Sequence, residues 1–154
     1  MGETARLNVR SLTTDDADFA AALDSKCFGK EACSHEYFLN AAQDEQREFL
    51  VAELDGKIIA CAGAEITYDT AEIESLAVAP EYRRRGVAKI LLAELLATLL
   101  KRGVTFILLE VRPSNTAAIE LYKKFNFQIV EREKNYYDDE DAWIMAKDFT
   151  DDTA

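Results

Sequence analysis

The chain has 154 residues, of which 49% are hydrophobic and 31% are charged, a balance typical of one globular domain and unlike that of a disordered or fibrous protein. Its formal net charge of -11 at pH 7 disfavours nucleic acid as a partner, because affinity for phosphates comes from an excess of lysine and arginine. The same charge suits a cationic substrate, such as an amine or a basic peptide, and it equally suits a role in solubility alone.

The N-terminus has no basic patch followed by an apolar run, and the longest apolar stretch is short and interrupted by polar residues. We therefore expect no secretory signal, no membrane partner and a cytoplasmic location. The three cysteines, one histidine and lack of a Cys-x-x-Cys pair predict reduced thiols and no metal site. We expect a single domain over residues 1–149 and a flexible tail over 150–154.

Alternating apolar and polar residues predict strands, and apolar residues three and four positions apart predict helices. The predicted elements, in chain order, are a strand at 7–10, helices at 17–28 and 34–40, strands at 49–54, 58–67 and 72–78, a helix at 87–101, a strand at 105–111, a helix at 115–125, and strands at 127–132 and 142–146. Asp55-Gly56 predicts a tight turn between the second and third strands. The order contains one βαβ unit, so the expected fold is α/β (α+β): a mixed, mostly antiparallel sheet with helices on both faces.

A basic, glycine-containing segment, Arg83-Arg84-Arg85-Gly86-Val87-Ala88, joins the predicted strand at 72–78 to the long helix. Free amide N–H groups at the start of a helix, together with the helix dipole, bind pyrophosphate well. Gly86 lets the backbone approach a ligand closely, Ala88 keeps the next turn small, and the arginines add positive charge. The segment therefore predicts a diphosphate site, with a basic linker as the alternative.

Residues 76–88, Leu-Ala-Val-Ala-Pro-Glu-Tyr-Arg-Arg-Arg-Gly-Val-Ala, resemble the signature of the GNAT superfamily of N-acetyltransferases. The resemblance implies acetyl-CoA as the acetyl donor, lying in a V-shaped gap where the strands at 72–78 and 105–111 splay apart. Backbone groups of the first strand would then bond the pantetheine arm, and an N–H at its end would stabilise charge on the thioester oxygen. The cofactor-binding residues that it implies are Leu76, Ala77, Val78, Arg83, Arg84, Arg85, Gly86, Val87, Ala88, Lys89 and Asn115.

A second motif, Leu109-Glu110-Val111-Arg112-Pro113-Ser114-Asn115 continuing to Leu121-Tyr122, resembles the RimI type of this superfamily, the ribosomal-protein-alanine N-acetyltransferases. Asn135-Tyr136-Tyr137 and the residues at 140–145 are similar to the C-terminal pattern of that type. The resemblance implies Glu110 as the general base, Tyr122 as the acid for the sulfur of coenzyme A, and Tyr136 and Tyr137 in the substrate cleft. Cys33 stands where the RimI type usually has a tryptophan, in a loop that shapes the peptide cleft.

Acetyl transfer requires an amine that has lost its proton, and a protein α-amine has a pKa of about 8 against about 10.4 for lysine. A protein N-terminus is therefore the expected acceptor, and the resemblance implies the N-terminal alanine of a small-subunit ribosomal protein. A small amine or a lysine as acceptor stays open, as does a noncatalytic acetyl-CoA-binding module. Burial at the end of an apolar strand would raise the pKa of Glu110, while Glu72 and Glu74, on one strand face, are rival bases.

Overall fold

The computed structural model describes residues 7–150, which form seven strands and four α-helices. The strands are β1 (Leu7–Ser11), β2 (Arg47–Leu54), β3 (Lys57–Thr67), β4 (Thr70–Val78), β5 (Phe106–Val111), β6 (Gln128–Glu133) and β7 (Ala142–Asp148). The helices are α1 (Ala17–Phe28), α2 (His35–Gln43), α3 (Val87–Lys101) and α4 (Thr116–Lys124). Every predicted element is present in the predicted order, although α2 extends three residues beyond its predicted end. Residues 1–6 of the expected domain and 151–154 of the expected tail lie outside the described range.

All seven strands belong to one sheet in the order β1-β2-β3-β4-β5-β7-β6. Only β4 and β5 pair in parallel, and every other neighbouring pair is antiparallel. The parallel pair requires a crossover, which α3 provides. The last strand, β7, lies between β5 and β6, so the sheet is mixed and mostly antiparallel, as the order of elements predicts.

Helices cover both faces of the sheet and form two apolar cores. On one face, α3 and α4 pack against the sheet through buried side chains that include Leu91, Leu95 and Ile119. On the other face, α1 and α2 pack through a second set that includes Leu23 and Phe38. The expectation of helices on both faces is confirmed. In residues 7–150, no helix has the length and apolar character needed to cross a membrane.

Local signals place the ends of several elements. Asp55 and Gly56 have φ values of 52° and 81°, so both occupy the left-handed region that a two-residue β2–β3 turn requires. The hydroxyl of Ser34 accepts the backbone N–H of Tyr37 at 3.1 Å and caps α2. Gly103, with φ of 91°, follows the end of α3 and turns the chain toward β5.

Candidate functional site

The centre of the sheet opens where β4 and β5 stop pairing. Their parallel pairing covers only three positions, from Thr70 opposite Phe106 to Glu72 opposite Leu108. Both strands continue past this point, to Val78 and Val111, without pairing with each other. The two strands therefore form a V-shaped gap whose β4 side consists of unpaired strand edge. Residues 76–78, predicted to hold the pantetheine arm, lie on this edge and pair with β3 on their other side.

A β-bulge in β4 begins the separation. Ser75 pairs with Gly63 of β3, and Ile73 pairs with Ala64, so Glu74 between them has no partner in the ladder. In a regular strand, Ile73 and Ala77 would lie on the same face, because they are four residues apart. The extra residue places them on opposite faces: Ile73 belongs to the core under α3, whereas Ala77 belongs to the core under α1. A Cβ on Gly63 would lie 2.2 Å from the Phe49 ring, so a glycine is needed opposite the bulge.

The predicted diphosphate turn presents the start of α3. Gly86 has φ of 81° and is the N-cap of the helix, and no side chain caps the first backbone N–H groups. Those groups are therefore available to an anionic ligand. Arg84 also has a positive φ, 65°, which bends the turn tightly. Val87 is buried, whereas Lys89 is exposed in the first helical turn.

The three arginines of this turn have different contacts. The guanidinium of Arg83 donates to the backbone carbonyl of Val78 at 3.0 Å and to the sulfur of Cys27 at 3.4 Å. It therefore fixes the end of β4 against α1. Arg85 lies over the ring of Tyr82 at 5.3 Å. In residues 7–150 the positive charge of the turn lies beside the open end of the gap, next to the uncapped amides of α3.

Glu110 lies next to the last residue of β5, opposite Ile144 of β7. Its pKa is raised to about 7, first by burial and then by a hydrogen bond to Glu72 and by the negative charges of Glu72 and Glu133. A carboxylate with this pKa accepts a proton readily and remains partly ionised at neutral pH. These are the properties of a general base.

The two rival glutamates have separate environments. Glu74, the bulged residue, accepts the hydroxyl of Tyr37 at 2.7 Å and the Nε of Arg47 at 2.8 Å. Its charge is therefore used in holding α2 against the sheet. Glu72 interacts instead with Glu110, and its hydrogen bond and negative charge both raise the pKa of that residue. This arrangement favours Glu110 as the base and makes Glu72 its neighbour.

Tyr122 is 6% exposed, and its ring packs against Phe127 with the centroids 5.6 Å apart. Burial raises the pKa of its hydroxyl, so the proton stays bound at neutral pH. Tyr122 is thus a packed aromatic residue whose hydroxyl keeps its proton.

Tyr136 and Tyr137 lie in the β6–β7 loop (residues 134–141), with their rings edge to face at 4.9 Å. Burial raises the pKa of Tyr137 to about 12, and the charge of Glu110 adds to the shift at both tyrosines. Ionisation of Tyr137 would raise the pKa of Tyr122, so these two hydroxyls also lie within electrostatic range of each other. The structure therefore brings the two tyrosines of the predicted substrate cleft close to the two predicted catalytic residues.

Asn115, predicted to contact the cofactor, is the N-cap of α4, and its side-chain oxygen accepts the N–H of Ala118 at 3.2 Å.

Two further residues have contacts that no motif predicts. Arg112 binds carboxylates on two loops, and the buried Asp24 accepts the backbone N–H of Cys33 and the hydroxyl of Ser75. The position of Arg112 two residues after Glu110 is a signal that it lies near the site, whereas Asp24 is an isolated acid in a helix.

An open groove of about 370 Å³ lies elsewhere, between α1, the β2–β3 turn and residues 79–81. None of the predicted site residues lines this groove, Glu110 and Tyr122 included. The gap between β4 and β5 has an unpaired strand edge and ionisable groups. We therefore take the gap, and not this groove, as the candidate functional site.

Comparison with known proteins agrees with this geometry. The family model described as "Acetyltransferase (GNAT) family" matches residues 17–127, which contain the gap, the turn before α3, Glu110 and Tyr122. The chain belongs to the acetyltransferase (GNAT) family. The expected family and fold are confirmed, and the match extends from the first residue of α1 to Phe127, just beyond the end of α4.

Individual proteins similar to this chain are named as N-acetyltransferases. The [ribosomal protein bS18]-alanine N-acetyltransferase of Escherichia coli K12 is 43% identical over 96 residues, which span 60% of this chain and 65% of the relative. The N-alpha-acetyltransferase daf-31 of Caenorhabditis elegans is 30% identical over 150 residues, covering 92% of this chain and 82% of the relative. The crystal structure of the ribosomal-protein-S18-alanine N-acetyltransferase from Escherichia coli has a TM-score of 0.86 and 35% identity, covering 93% of this chain and 94% of that chain.

Proposed function

We propose that this protein transfers the acetyl group of acetyl-CoA directly to the α-amine of a protein N-terminus, with Glu110 as general base and Tyr122 as general acid. The observation that carries the proposal is the half-buried Glu110. This residue lies beside the gap between β4 and β5, and its pKa is raised to about 7. A base with a pKa near the working pH is the most effective kind, because it is both ionised and able to hold a proton.

Acetyl-CoA, as substrate, supplies an activated acetyl group on a thiol leaving group. Its diphosphate fits the uncapped amides at the start of α3, where Arg83, Arg84, Arg85, Gly86, Val87, Ala88 and Lys89 supply amides and positive charge. Its extended arm fits the unpaired edge formed by Leu76, Ala77 and Val78, which offers backbone hydrogen bonds in the way that a strand edge receives another strand. Asn115 is suited to orient the start of α4 beside it.

Each catalytic side chain moves one proton. Glu110 accepts the proton that the acceptor ammonium loses, directly or through one water, so that the neutral amine attacks the acetyl carbonyl. A backbone N–H on the unpaired edge of β4 stabilises the negative charge that develops on the carbonyl oxygen. The hydroxyl of Tyr122, which keeps its proton at neutral pH, protonates the departing sulfur. The nitrogen still carries one extra proton after the attack, and it passes that proton to the Tyr122 oxygen, directly or through water, while Glu110 releases its proton to solvent. The amide product and free coenzyme A result, and no acetylated enzyme is formed.

The acceptor is proposed from the relatives and from the chemistry of amines. The relatives are named for acetylation of an alanine of ribosomal protein bS18 and for N-alpha-acetylation. An α-amine loses its proton more easily than a lysine, which suits a base with a pKa of about 7. We therefore propose the N-terminal alanine of a small-subunit ribosomal protein as the acceptor, with Tyr136 and Tyr137 lining its cleft.

The test compares acceptors that differ only in the amine. The protein is incubated with acetyl-CoA and peptides that differ at their first residue, with the same peptides blocked at the α-amine but containing lysine, and with polyamines. Release of coenzyme A is followed. Acetylation of free N-termini, alanine above all, is expected. Acetylation of only polyamines or lysine would exclude the N-terminal acceptor, and binding of acetyl-CoA without turnover on any amine would exclude catalysis.

The role of Glu110 has its own test. Glu110→Gln is expected to lower turnover by ~10²-fold or more, the scale of general-base effects. Glu120→Gln, which removes the same charge from the exposed side of α4, is the control and keeps wild-type turnover. Wild-type turnover of the Glu110 variant across pH 6–9 would remove Glu110 from the mechanism.

A further inference from the structure

Arg112, directly after β5 and two residues after Glu110, bridges two loops. The first is the α1–α2 loop, residues 29–34, and the second is the β6–β7 loop already defined. Its guanidinium donates to Glu31 of the first loop, and to Asp139 at 2.6 Å and Glu140 at 3.0 Å in the second. One side chain is therefore bound to both loops at once.

The face of the same guanidinium lies over the ring of Tyr137, with its central carbon 4.1 Å from the ring centroid. Glu140 is held in addition by the hydroxyl of Ser114 at 2.7 Å, and its carbonyl accepts the N–H of Tyr137 at 3.0 Å. The β6–β7 loop is thus tied to the end of β5 at several atoms. The tyrosine pair of the proposed substrate cleft is positioned through these contacts.

A planar guanidinium suits this role, because it donates along several fixed directions and stacks on an aromatic ring at the same time. A single exposed ion pair contributes little, but a network around one partly buried arginine contributes more. The side chain of Arg112 is 25% exposed. A second ion pair between the loops, from Lys30 to Asp138 at 3.4 Å, joins side chains that are 78% and 84% exposed, so it adds little.

Glu110 and Arg112 lie two residues apart in the chain, on either side of the last residue of β5. The position of both loops relative to the base therefore depends on one short segment of chain. We propose that Arg112 is a positioning residue, which holds the α1–α2 and β6–β7 loops in the arrangement that binds the acceptor amine. This inference rests on the proposed function, since it concerns the acceptor side of that reaction.

The experiment replaces Arg112 and separates the acceptor from acetyl-CoA. Arg112→Gln is expected to raise KM for an acceptor peptide by ~10-fold, while kcat and KM for acetyl-CoA change by less than ~3-fold, because the proposed role of the two loops is to bind the acceptor. Arg112→Lys keeps the charge but loses the fork and the stacking, so it is expected to give most of the same rise. Arg132→Gln is the control, because Arg132 pairs with Asp141 and does not reach the α1–α2 loop.

Amide hydrogen exchange provides a readout that does not depend on turnover. Arg112→Gln is expected to speed exchange in residues 29–34 and in 134–141, with the strands unchanged. Glu31→Gln keeps the arginine and is expected to speed exchange in the α1–α2 loop alone.

The outcomes separate the two proposals. If no amine is acetylated by the wild type, the proposed function fails, and faster exchange in both loops of the Arg112 variant still supports the bridge. If the wild type is active and the Arg112 variants keep the acceptor KM, or raise both KM values equally, the positioning role is overturned. Unchanged exchange in both loops of a folded Arg112→Gln protein overturns it as well.

Discussion

The clearest test of the electrostatics at the gap is Glu72→Gln. After burial, Glu72 is the next cause of the raised pKa of Glu110, through a hydrogen bond and through its negative charge. Glutamine keeps the size of the side chain and removes the charge. Removing a like charge favours the ionised form of Glu110, so its pKa is expected to fall from about 7. Burial persists in the variant, so the pKa stays above its usual value.

The size of the fall follows from the contact between the two carboxyl groups. Two charges at hydrogen-bonding separation interact by ~1 kcal/mol in water and by ~4 kcal/mol at the dielectric constant of a protein surface. Glu110 is half-buried, so a value near the lower end applies, and ~1.4 kcal/mol corresponds to about one pKa unit. A fall from about 7 to about 6 raises the ionised fraction of Glu110 at pH 6 from ~10% to ~50%.

The assay is the pH profile of kcat/KM for an acceptor peptide. The acid limb is expected to move about one pH unit toward lower pH, so kcat/KM at pH 6 rises ~5-fold. Above pH 8, kcat/KM is expected to change little, or to fall slightly because Glu110 is then a weaker base. Glu120→Gln, with the same change in net charge, is expected to leave the limb in place. An acid limb that stays at its wild-type position, or moves to higher pH, would refute the coupling between Glu72 and Glu110.

Three other results are expected. Because the pKa of Glu110 is about 7 in the folded protein, above its usual 4.5, the stability that it contributes at low pH is lost as pH rises toward 7. Glu110→Gln avoids that loss, which amounts to ~1 kcal/mol after solvent screening. The thermal midpoint of the variant should therefore exceed that of the wild type by ~2–4 °C at pH 8 and by much less at pH 4.5. An equal difference at both pH values would contradict the raised pKa. Tyr122→Phe should lower turnover by ~10²-fold and change the thermal midpoint little, because the substitution keeps the buried ring that packs against Phe127. Full turnover would exclude the acid role. Asp24→Ala leaves the Cys33 N–H and the Ser75 hydroxyl without their acceptor. The variant should therefore lose ~2–3 kcal/mol of its free energy of unfolding, and its thermal midpoint should fall by roughly 5–10 °C. An unchanged midpoint would show that these bonds contribute nothing to stability.

The elements of the fold follow from local patterns in the sequence. The Leu91, Leu92, Leu95 and Leu99 stripe marks the buried face of α3, and the predicted bounds of that helix are those of the structure. Asp55-Gly56 likewise marks its turn. Such features depend on residues a few positions apart, so they can be read directly from the chain.

Features that depend on distant residues could not be read in this way. The residues from 70 to 78 alternate as in a regular strand, and the bulge at Glu74 becomes visible only through the register with β3. The place of β7 between β5 and β6 is a pairing of distant segments. Arg112 and Glu31 are 81 positions apart, and nothing in either local sequence indicates the contact. The motif containing Glu110 identifies the site, but its partners come from the tertiary structure.

The bulge at Glu74 also has a consequence for changes in chain length. Deleting that one residue would leave Ile73 and Ser75 next to each other, opposite Ala64 and Gly63, so both halves of β4 would keep their present faces and their present cores. The deletion would instead remove the local bend and the added twist that a bulge gives a strand, close to the point where β4 separates from β5. A substitution such as Glu74→Gln affects only the contacts with Tyr37 and Arg47. Loss of Glu74 is therefore expected to change the shape of the gap while leaving both cores in place, whereas exchange of its side chain leaves the path of the backbone unchanged.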